Sequence, residues 1–193
     1  MKLTLIFLFL TINSICFAQF KPLLPSKAVL KSGDTLSGIR GKLKNQSFKY
    51  KRFSAGKAIE IEFSEIEFIQ IRYSKNDIKT YKNFQLEDGE MFLAVRPSVL
   101  GSRVELYFRE RFISYNGAGG IVNSGTIAEY YIRKIGEEKL TNLGYYNVFG
   151  SMRKNVLNFF SDCNPLVEKI ENRSFKMRDG LEDVVKYYNK SCE

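Results

Sequence analysis

Four glutamates in one short stretch are the first residues of this chain that could do chemistry. They lie in A-I-E-I-E-F-S-E-I-E-F-I-Q-I-R-Y, residues 58–73, as Glu60, Glu62, Glu65 and Glu67. Two carboxyl groups on one surface can serve glycoside hydrolysis. The glutamates alternate with apolar residues, however, which is typical of a strand with one buried and one wet face. A catalytic acid needs a buried carboxyl with a raised pKa, so the alternation favours solvated strand residues.

Histidine is absent from the 193 residues. The absence excludes Ser-His-Asp triads, Cys-His dyads and HExxH metal sites. The glycine-rich stretch Gly117–Gly120 is expected between two strands, whereas a phosphate cradle needs a strand before it and a helix after it. It is therefore interpreted as a hairpin loop. The sequence predicts no catalytic residue, no metal site and no cofactor.

The N-terminus resembles an export signal. Lys2 precedes an apolar run from Leu3 to Ile12, and a more polar stretch follows. This layout predicts a signal peptide over residues 1–18, cleaved between Ala18 and Gln19. Lipidation at Cys16 is a weaker alternative, since the residues before it do not match that processing motif. No later segment is apolar and long enough to predict a transmembrane helix.

Two cysteines, Cys163 and Cys192, remain after the signal. Two cysteines in an exported chain suggest one disulfide, and both lie on apolar faces of predicted helices. Two separate buried thiols are the alternative interpretation. A catalytic cysteine is disfavoured because no histidine could activate it.

Positive charge is concentrated in the first hairpins. The formal net charge is +9, and residues 21–57 contain ten Lys or Arg and one acid, Asp34. Strand parity places Lys42 with Lys44 and Lys49 with Lys51 on one surface, with Arg52 at its border. This candidate anion-binding patch suits lipid headgroups or an acidic polymer. The favoured alternative is that these lysines protect edge strands against aggregation.

The apolar pattern predicts an α+β fold. Short strands at regular spacing, separated by turns such as Ser32-Gly33-Asp34, follow an extended lead-in over residues 19–26. They indicate an antiparallel sandwich or open barrel over residues 27–143, with the 58–73 stretch at its middle. Pro97 is expected to end a strand.

Residues 144–193 have helical periodicity. The spacing predicts three helices packed on the sheet, with Asn164-Pro165 starting the second and a capping box of Asp179 and Glu182 starting the third. The apolar stripes are those of ordinary core helices. The predicted cysteine bridge would join the ends of this helical unit.

Three segments resemble a group of uncharacterised exported bacterial envelope proteins. They are V-L-K-S-G-D-T-L-S-G-I at 29–39, F-F-S-D-C-N-P-L-V-E-K-I at 159–170, and V-V-K-Y-Y-N-K-S-C at 184–192. The group shows Asp-Cys-Pro where this chain has Asn164 inserted between Cys163 and Pro165. The resemblance implies an envelope context and transfers no activity or site residue.

The sequence therefore predicts an exported, non-catalytic envelope protein that binds a protein or another envelope component. The first alternative is a small hydrolase that uses carboxylates on a glycan or peptide. The second is a peripheral protein held at anionic membrane surfaces by its basic hairpins. Export disfavours nucleic acid as a partner.

Overall fold

The structure is a computed structural model that describes residues 22–52, 56–116, 122–146 and 151–192. The predicted signal peptide with its expected cleavage between Ala18 and Gln19, Cys16, and the glycine-rich stretch at 117–120 lie outside these residues. Ten strands precede three helices, which confirms the α+β prediction. The strands are β1 (Leu24–Leu30), β2 (Thr35–Leu43), β3 (Ser47–Arg52), β4 (Ile59–Glu62), β5 (Ile66–Arg72), β6 (Ile78–Leu86), β7 (Phe92–Leu100), β8 (Val104–Asn116), β9 (Val122–Lys134) and β10 (Lys139–Tyr145). The helices are α1 (Ser151–Phe159), α2 (Asn164–Glu171) and α3 (Glu182–Ser191).

The strand order is β10-β9-β8-β7-β6-β5-β1-β2-β3-β4, and neighbouring strands are antiparallel. β10 also pairs with β6 in parallel, through Lys139 with Gln85 and Leu140 with Leu86. Strands β6 to β10 therefore close into a small five-stranded barrel. The sheet continues from β6 through the other five strands, in the order β5, β1, β2, β3 and β4.

Residues 58–73 form two strands that lie in different parts of the sheet. A short 3-10 helix, Phe63–Glu65, separates β4 from β5. β5 lies inside the sheet between β1 and β6, as expected, but β4 pairs with β3 at the edge. Ile59 on β4 is consequently exposed. The alternation identified two strands correctly but could not specify their partners.

Two strands contain a proline, and one of these prolines was expected to end its strand. β1 begins within the predicted lead-in, and Pro25 pairs with Arg40 of β2. β7 continues through Pro97 to Leu100, so the expected strand end there was wrong. The register with β8 shifts between Pro97 and Val99, and such an irregularity accommodates a residue that has no N–H to donate.

β10 was not predicted as a strand.

Three apolar clusters form the core. One lies on the inner face of the sheet around β1, β2, β3 and β5, and a second fills the barrel with Leu93, Val95, Tyr107, Tyr131 and Leu140. The third lies between the helices and the outside of the barrel, where Val104, Leu106, Ile132 and Leu143 meet the helical side chains. Strands β8 and β9 therefore bury both of their faces.

The helical unit starts differently from the sequence expectation. Asn164 is the first residue of α2 rather than its cap, which is Cys163. The predicted capping box was wrong, because Asp179 belongs to a 3-10 turn and Leu181 caps α3 without a side-chain hydrogen bond. Glu182 instead accepts a hydrogen bond of 2.7 Å from the Ser98 hydroxyl on β7. The predicted disulfide between Cys163 and Cys192 is present and connects the start of α2 to the end of α3.

Candidate functional site: a cationic sheet face and its neighbouring cleft

The β2–β3 ladder places four cations on one face. Lys42 lies directly opposite Lys49, and Arg40 lies directly opposite Lys51. Opposite residues of an antiparallel pair share a face. We call these four residues the cationic face: Arg40, Lys42, Lys49 and Lys51. Arg40 is exposed and the three lysines are half-buried.

The sequence prediction for this surface holds only in part. Lys42, Lys49 and Lys51 come together as expected, and Arg40 was missed although it has the same strand parity as Lys42. Lys44 lies beyond the end of β2, where its N–H donates to the Ser47 carbonyl. Arg52 pairs with Ile39, so register places it on the opposite face.

One carboxylate within ion-pair distance of the cationic face is that of Glu60. Glu60 of β4 lies opposite Lys49 and forms an ion pair of 3.3 Å with it. Both side chains are substantially exposed, so this pair contributes little stability. The ladder places two like-charged pairs directly opposite each other, an arrangement in which like charges repel.

The strand order tests the interpretation that these lysines protect edge strands against aggregation. β2 lies between β1 and β3, and β3 lies between β2 and β4. The sheet edge is β4, which carries Glu60 and Glu62. Protective lysines belong on edge strands. Most of the cationic face lies on strands that already have two neighbours, so edge protection does not account for it.

A cleft of about 490 Å³ adjoins the β2–β3 hairpin. Lys42 and Lys44 line it from the hairpin, and Arg96, Arg109 and Glu110 line it from β7 and β8. Glu110 accepts a hydrogen bond of 2.9 Å from Arg96 and one of 3.4 Å from Lys79. The lining carries four cations and one carboxylate, and two of the cations, Arg96 and Arg109, form ion pairs with Glu110 and Glu129. The cleft therefore favours a strongly polar occupant.

Two tyrosines form another wall of the cleft. The hydroxyl groups of Tyr73 and Tyr81 are 3.0 Å apart. Burial, and then the hydrogen bond with Tyr73, raise the pKa of Tyr81 well above its ordinary value. Tyr81 therefore stays neutral at physiological pH, where it acts as a hydrogen-bonding group rather than a base.

The barrel interior contains two buried charge clusters. Glu105 accepts hydrogen bonds of 2.6 Å from the Tyr107 hydroxyl and 2.7 Å from Arg133. Glu129 accepts one of 2.9 Å from Arg109, and Arg111 lies 3.5 Å from its other oxygen. These clusters come from the pattern Glu-x-Tyr-x-Arg, which occurs at 105–109 on β8 and again at 129–133 on β9.

Both buried carboxyl groups are held in the charged form. Burial would raise the pKa of Glu105, but the hydrogen bonds from Tyr107 and Arg133 outweigh it and lower that pKa. Burial opposes ionisation of Glu129 likewise, and hydrogen bonds from Tyr131 and Arg109 lower its pKa. A general acid would require a raised pKa instead. Strand alternation puts Glu105, Tyr107 and Arg109 on one side of β8, but it gives no sign that this side is buried.

The glutamates of residues 58–73 do not form one site. Glu60 and Glu62 lie on β4, Glu65 belongs to the 3-10 helix, and Glu67 lies on β5. Within the described ranges, no group of three or more Cys, Asp or Glu residues could hold a metal ion.

Comparison with models of known families, with curated proteins and with solved structures found no match. In the part of the chain that the structure describes, no helix is both long and apolar enough to cross a membrane.

Proposed function

We propose that the protein is a non-catalytic binding module of the bacterial cell envelope that holds an anionic envelope component on its cationic face. The observation that carries the proposal is the pairing of Arg40 with Lys51 and of Lys42 with Lys49 on adjacent interior strands. Like charges that lie directly opposite each other in a sheet repel each other. An anionic partner relieves the repulsion, so binding and sheet stability support each other.

The envelope context rests on the signal-like N-terminus and on the resemblance of residues 29–39, 159–170 and 184–192 to exported envelope proteins. The neighbouring cleft supports the same partner chemistry, because Lys42 and Lys44 carry the positive surface from the hairpin into it. A partner that lies along the hairpin could therefore place an acidic group in the cleft.

The proposal is tested with a variant that neutralises the cationic face: R40Q, K42Q, K49Q and K51Q together. The control variant removes the same charge from exposed lysines elsewhere: K139Q, K154Q, K176Q and K190Q. Each cation near an anionic surface contributes about 1 kcal/mol, so we expect the first variant to bind an envelope fraction roughly 1,000-fold more weakly at low salt. The control should bind like the natural protein.

Two further arms identify the partner class. Binding to vesicles that contain phosphatidylglycerol, lost at high salt, would assign the face to a membrane surface. Capture of one defined acidic protein, with no vesicle binding, would assign it to an adaptor role. Equal binding by both variants in every arm would refute the proposal.

A further inference from the structure

Strands β8 and β9 continue past the strands that flank them. The pairing of β7 with β8 ends at Phe108, and the pairing of β10 with β9 ends at Glu129. Beyond these positions, as far as the structure describes the chain, residues 110–116 pair with residues 122–128 and with no third strand. We call this two-stranded extension the arm. Its β8 strand has a free backbone edge on the side of β7.

The free edge of the arm is unprotected. Natural edge strands are kept short, charged or interrupted by proline. Residues 112–116 read Phe-Ile-Ser-Tyr-Asn, without charge or proline, and Phe112 is 70% exposed. By contrast, β4 at the edge of the extended sheet is four residues long and carries two glutamates. Because a two-stranded ribbon is marginally stable alone, a further strand would stabilise the arm.

The same edge leads into the cleft beside the β2–β3 hairpin, which Arg109 and Glu110 both line. Successive side chains point to opposite faces of a strand, so a cleft that two successive residues line borders the edge of that strand. Alternate residues of an antiparallel pair direct both N–H and C=O away from the partner strand. The cleft therefore gives access to backbone donors and acceptors of β8.

Positive charge enters this cleft from the end of β2. Lys42 and Lys44 line it there, whereas Arg96 and Arg109 pair with carboxylates of this chain. A carboxylate that lies in the cleft, next to the free edge, is attracted by the two lysines. Lipid headgroups and acidic polysaccharides also carry negative charge, but only a peptide can in addition continue the β8 ladder.

We propose that the arm and the cleft bind an extended peptide segment of a partner protein. The segment adds antiparallel to β8, where main-chain hydrogen bonds hold it, and a carboxylate at its C-terminal end lies beside Lys42 and Lys44. β8 runs from the cleft toward the end of the arm, so the C-terminal end of an antiparallel strand lies at the cleft. This inference rests on the proposed function, because it identifies the anionic partner of the cationic face as a protein segment.

Labelled peptides of about six residues test the inference by fluorescence anisotropy with the full mature chain. Thr-Val-Ser-Val-Thr-Val with a free C-terminus should bind with a dissociation constant on the order of 100 µM. Its C-terminal amide should bind about tenfold more weakly, because it loses a charge-assisted hydrogen bond. An amide with Asp as its last residue shows whether a side-chain carboxylate replaces the terminal one.

N-methylation of alternate residues in the acid peptide should abolish binding, since it removes the donors to the free edge. Undiminished binding of the N-methylated peptide would overturn the inference. So would equal affinities of the acid and its amide, or no saturable binding of any peptide up to about 1 mM.

Variants assign the two parts of the site. K44Q leaves the cationic face intact and should reduce the preference for the acid peptide over its amide about threefold. K190Q, at an exposed lysine elsewhere, is the matched control. F112P and I113P each remove one N–H group, and because the residues are adjacent, one of the two groups points to the free edge. That variant should lose the peptide and retain the amide spectrum of the barrel. Peptide binding retained by both proline variants would overturn the assignment of the edge.

Failure of this inference is distinguishable from failure of the proposed function. If neutralising the cationic face weakens envelope binding while the acid and amide peptides bind equally, only the peptide inference fails. If neutralising that face leaves envelope binding unchanged, the proposed function fails whatever the peptides do. Sedimentation equilibrium tests a second copy as the occupant. Dimerisation that a proline variant abolishes, without peptide binding, would overturn the inference in favour of pairing between two arms.

Discussion

The two Glu-x-Tyr-x-Arg patterns show how individual residues specify the barrel interior. Because β8 and β9 are antiparallel, Glu105 lies opposite Arg133 and Arg109 lies opposite Glu129. Tyr107 lies opposite Tyr131 between the two ion pairs. The same pattern on both strands thus places each carboxylate beside the other strand's guanidinium. A shift of register by one residue would turn these groups to the other face, so the pairs also favour one register.

Removal of Arg133 should be costly, because it leaves the Glu105 carboxylate buried with only the Tyr107 hydroxyl as a side-chain partner. We expect R133M to lower the free energy of unfolding by about 3 kcal/mol in urea denaturation. R111M is the matched control, since Arg111 is 51% exposed and its ion pair with Glu129, at 3.5 Å, is longer than the 2.9 Å pair that Arg109 forms. Its effect should stay below about 1 kcal/mol. Equal losses in the two variants would contradict this account of the barrel interior.

The lowered pKa values of Glu105 and Glu129 predict acid sensitivity. A carboxyl whose pKa is lower in the folded state contributes stability above its unfolded pKa of about 4.3, and this is lost as the pH falls through the folded pKa. The free energy of unfolding should therefore decline below about pH 5.

The E105Q variant should be less stable than the natural protein at pH 7 but should lose less stability on acidification, because it lacks one of these carboxyl groups. Urea midpoints measured from neutral pH downward provide the test. Parallel declines for the two proteins would show that Glu105 does not contribute to the acid response.

Among the elements, β2 is shaped by its glycines. Two residues of β2, at 37 and 38, oppose Lys27 of β1, and Gly38 has a positive φ of 65°. This two-against-one pairing is a β-bulge. Gly41 leaves room for the buried ring of Phe48, which would collide with a Cβ atom. These local features allow the strands that carry the cationic face to bend over their core.

The side chain of Asn189 connects helix α3 to the start of β8. Asn189 accepts hydrogen bonds from the backbone N–H groups of Arg103 and Val104 at 2.9 and 3.0 Å, and it donates to the Val104 carbonyl at 3.1 Å. Gly101 allows this close approach, since a Cβ atom there would collide with Asn189. Arg103 in turn donates to the Cys192 carbonyl at the end of the helix.

N189A should destabilise the protein by about 2 kcal/mol, because it leaves backbone groups at the start of β8 without partners. The neighbouring exposed residue provides the control, and K190A should change the free energy of unfolding by less than about 0.5 kcal/mol. Hydrogen exchange offers a second measurement. The amides of Arg103 and Val104 should exchange faster in N189A, and unchanged protection would exclude the proposed role.

At the scale of the whole molecule, the barrel and the helices share a core. Val104, Leu106, Ile132 and Leu143 are fully buried, and their cluster consists otherwise of residues from the helical unit. The barrel wall is thus completed by the helices on its outside. β6 connects this half of the molecule to the extended sheet, because it pairs with β5, β7 and β10.

A chain that ends at Tyr146 should therefore not fold as an independent β domain. The truncation would expose those four side chains. Burial of one Val, Leu or Ile side chain stabilises a folded protein by about 1.5–3 kcal/mol. We expect aggregation, or an amide spectrum without dispersion, while the full chain unfolds in one transition. A soluble truncated monomer with a dispersed spectrum would show that the sheet is stable without the helices.

Much of this architecture was predictable because it depends on local periodicity. The alternation in β5 and β8 and the helical stripes around Val156 and Val184 indicate which positions share a face, and they defined the α+β class. The pairing of Cys163 with Cys192 was equally predictable, since two cysteines allow only one intramolecular bridge. Candidate cations at 42, 49 and 51 followed from strand parity.

The sequence by itself determined the faces of the strands and helices, whereas the tertiary structure decided what covers each face. Alternation places Glu105 and Tyr107 on one side of a strand, but their burial depends on the parallel pairing of β10 with β6, between residues distant in the chain. Likewise, only the strand order shows that the cationic face lies on interior strands and β4 at the edge. Local patterns report polarity, and burial follows from long-range contacts that no local pattern encodes.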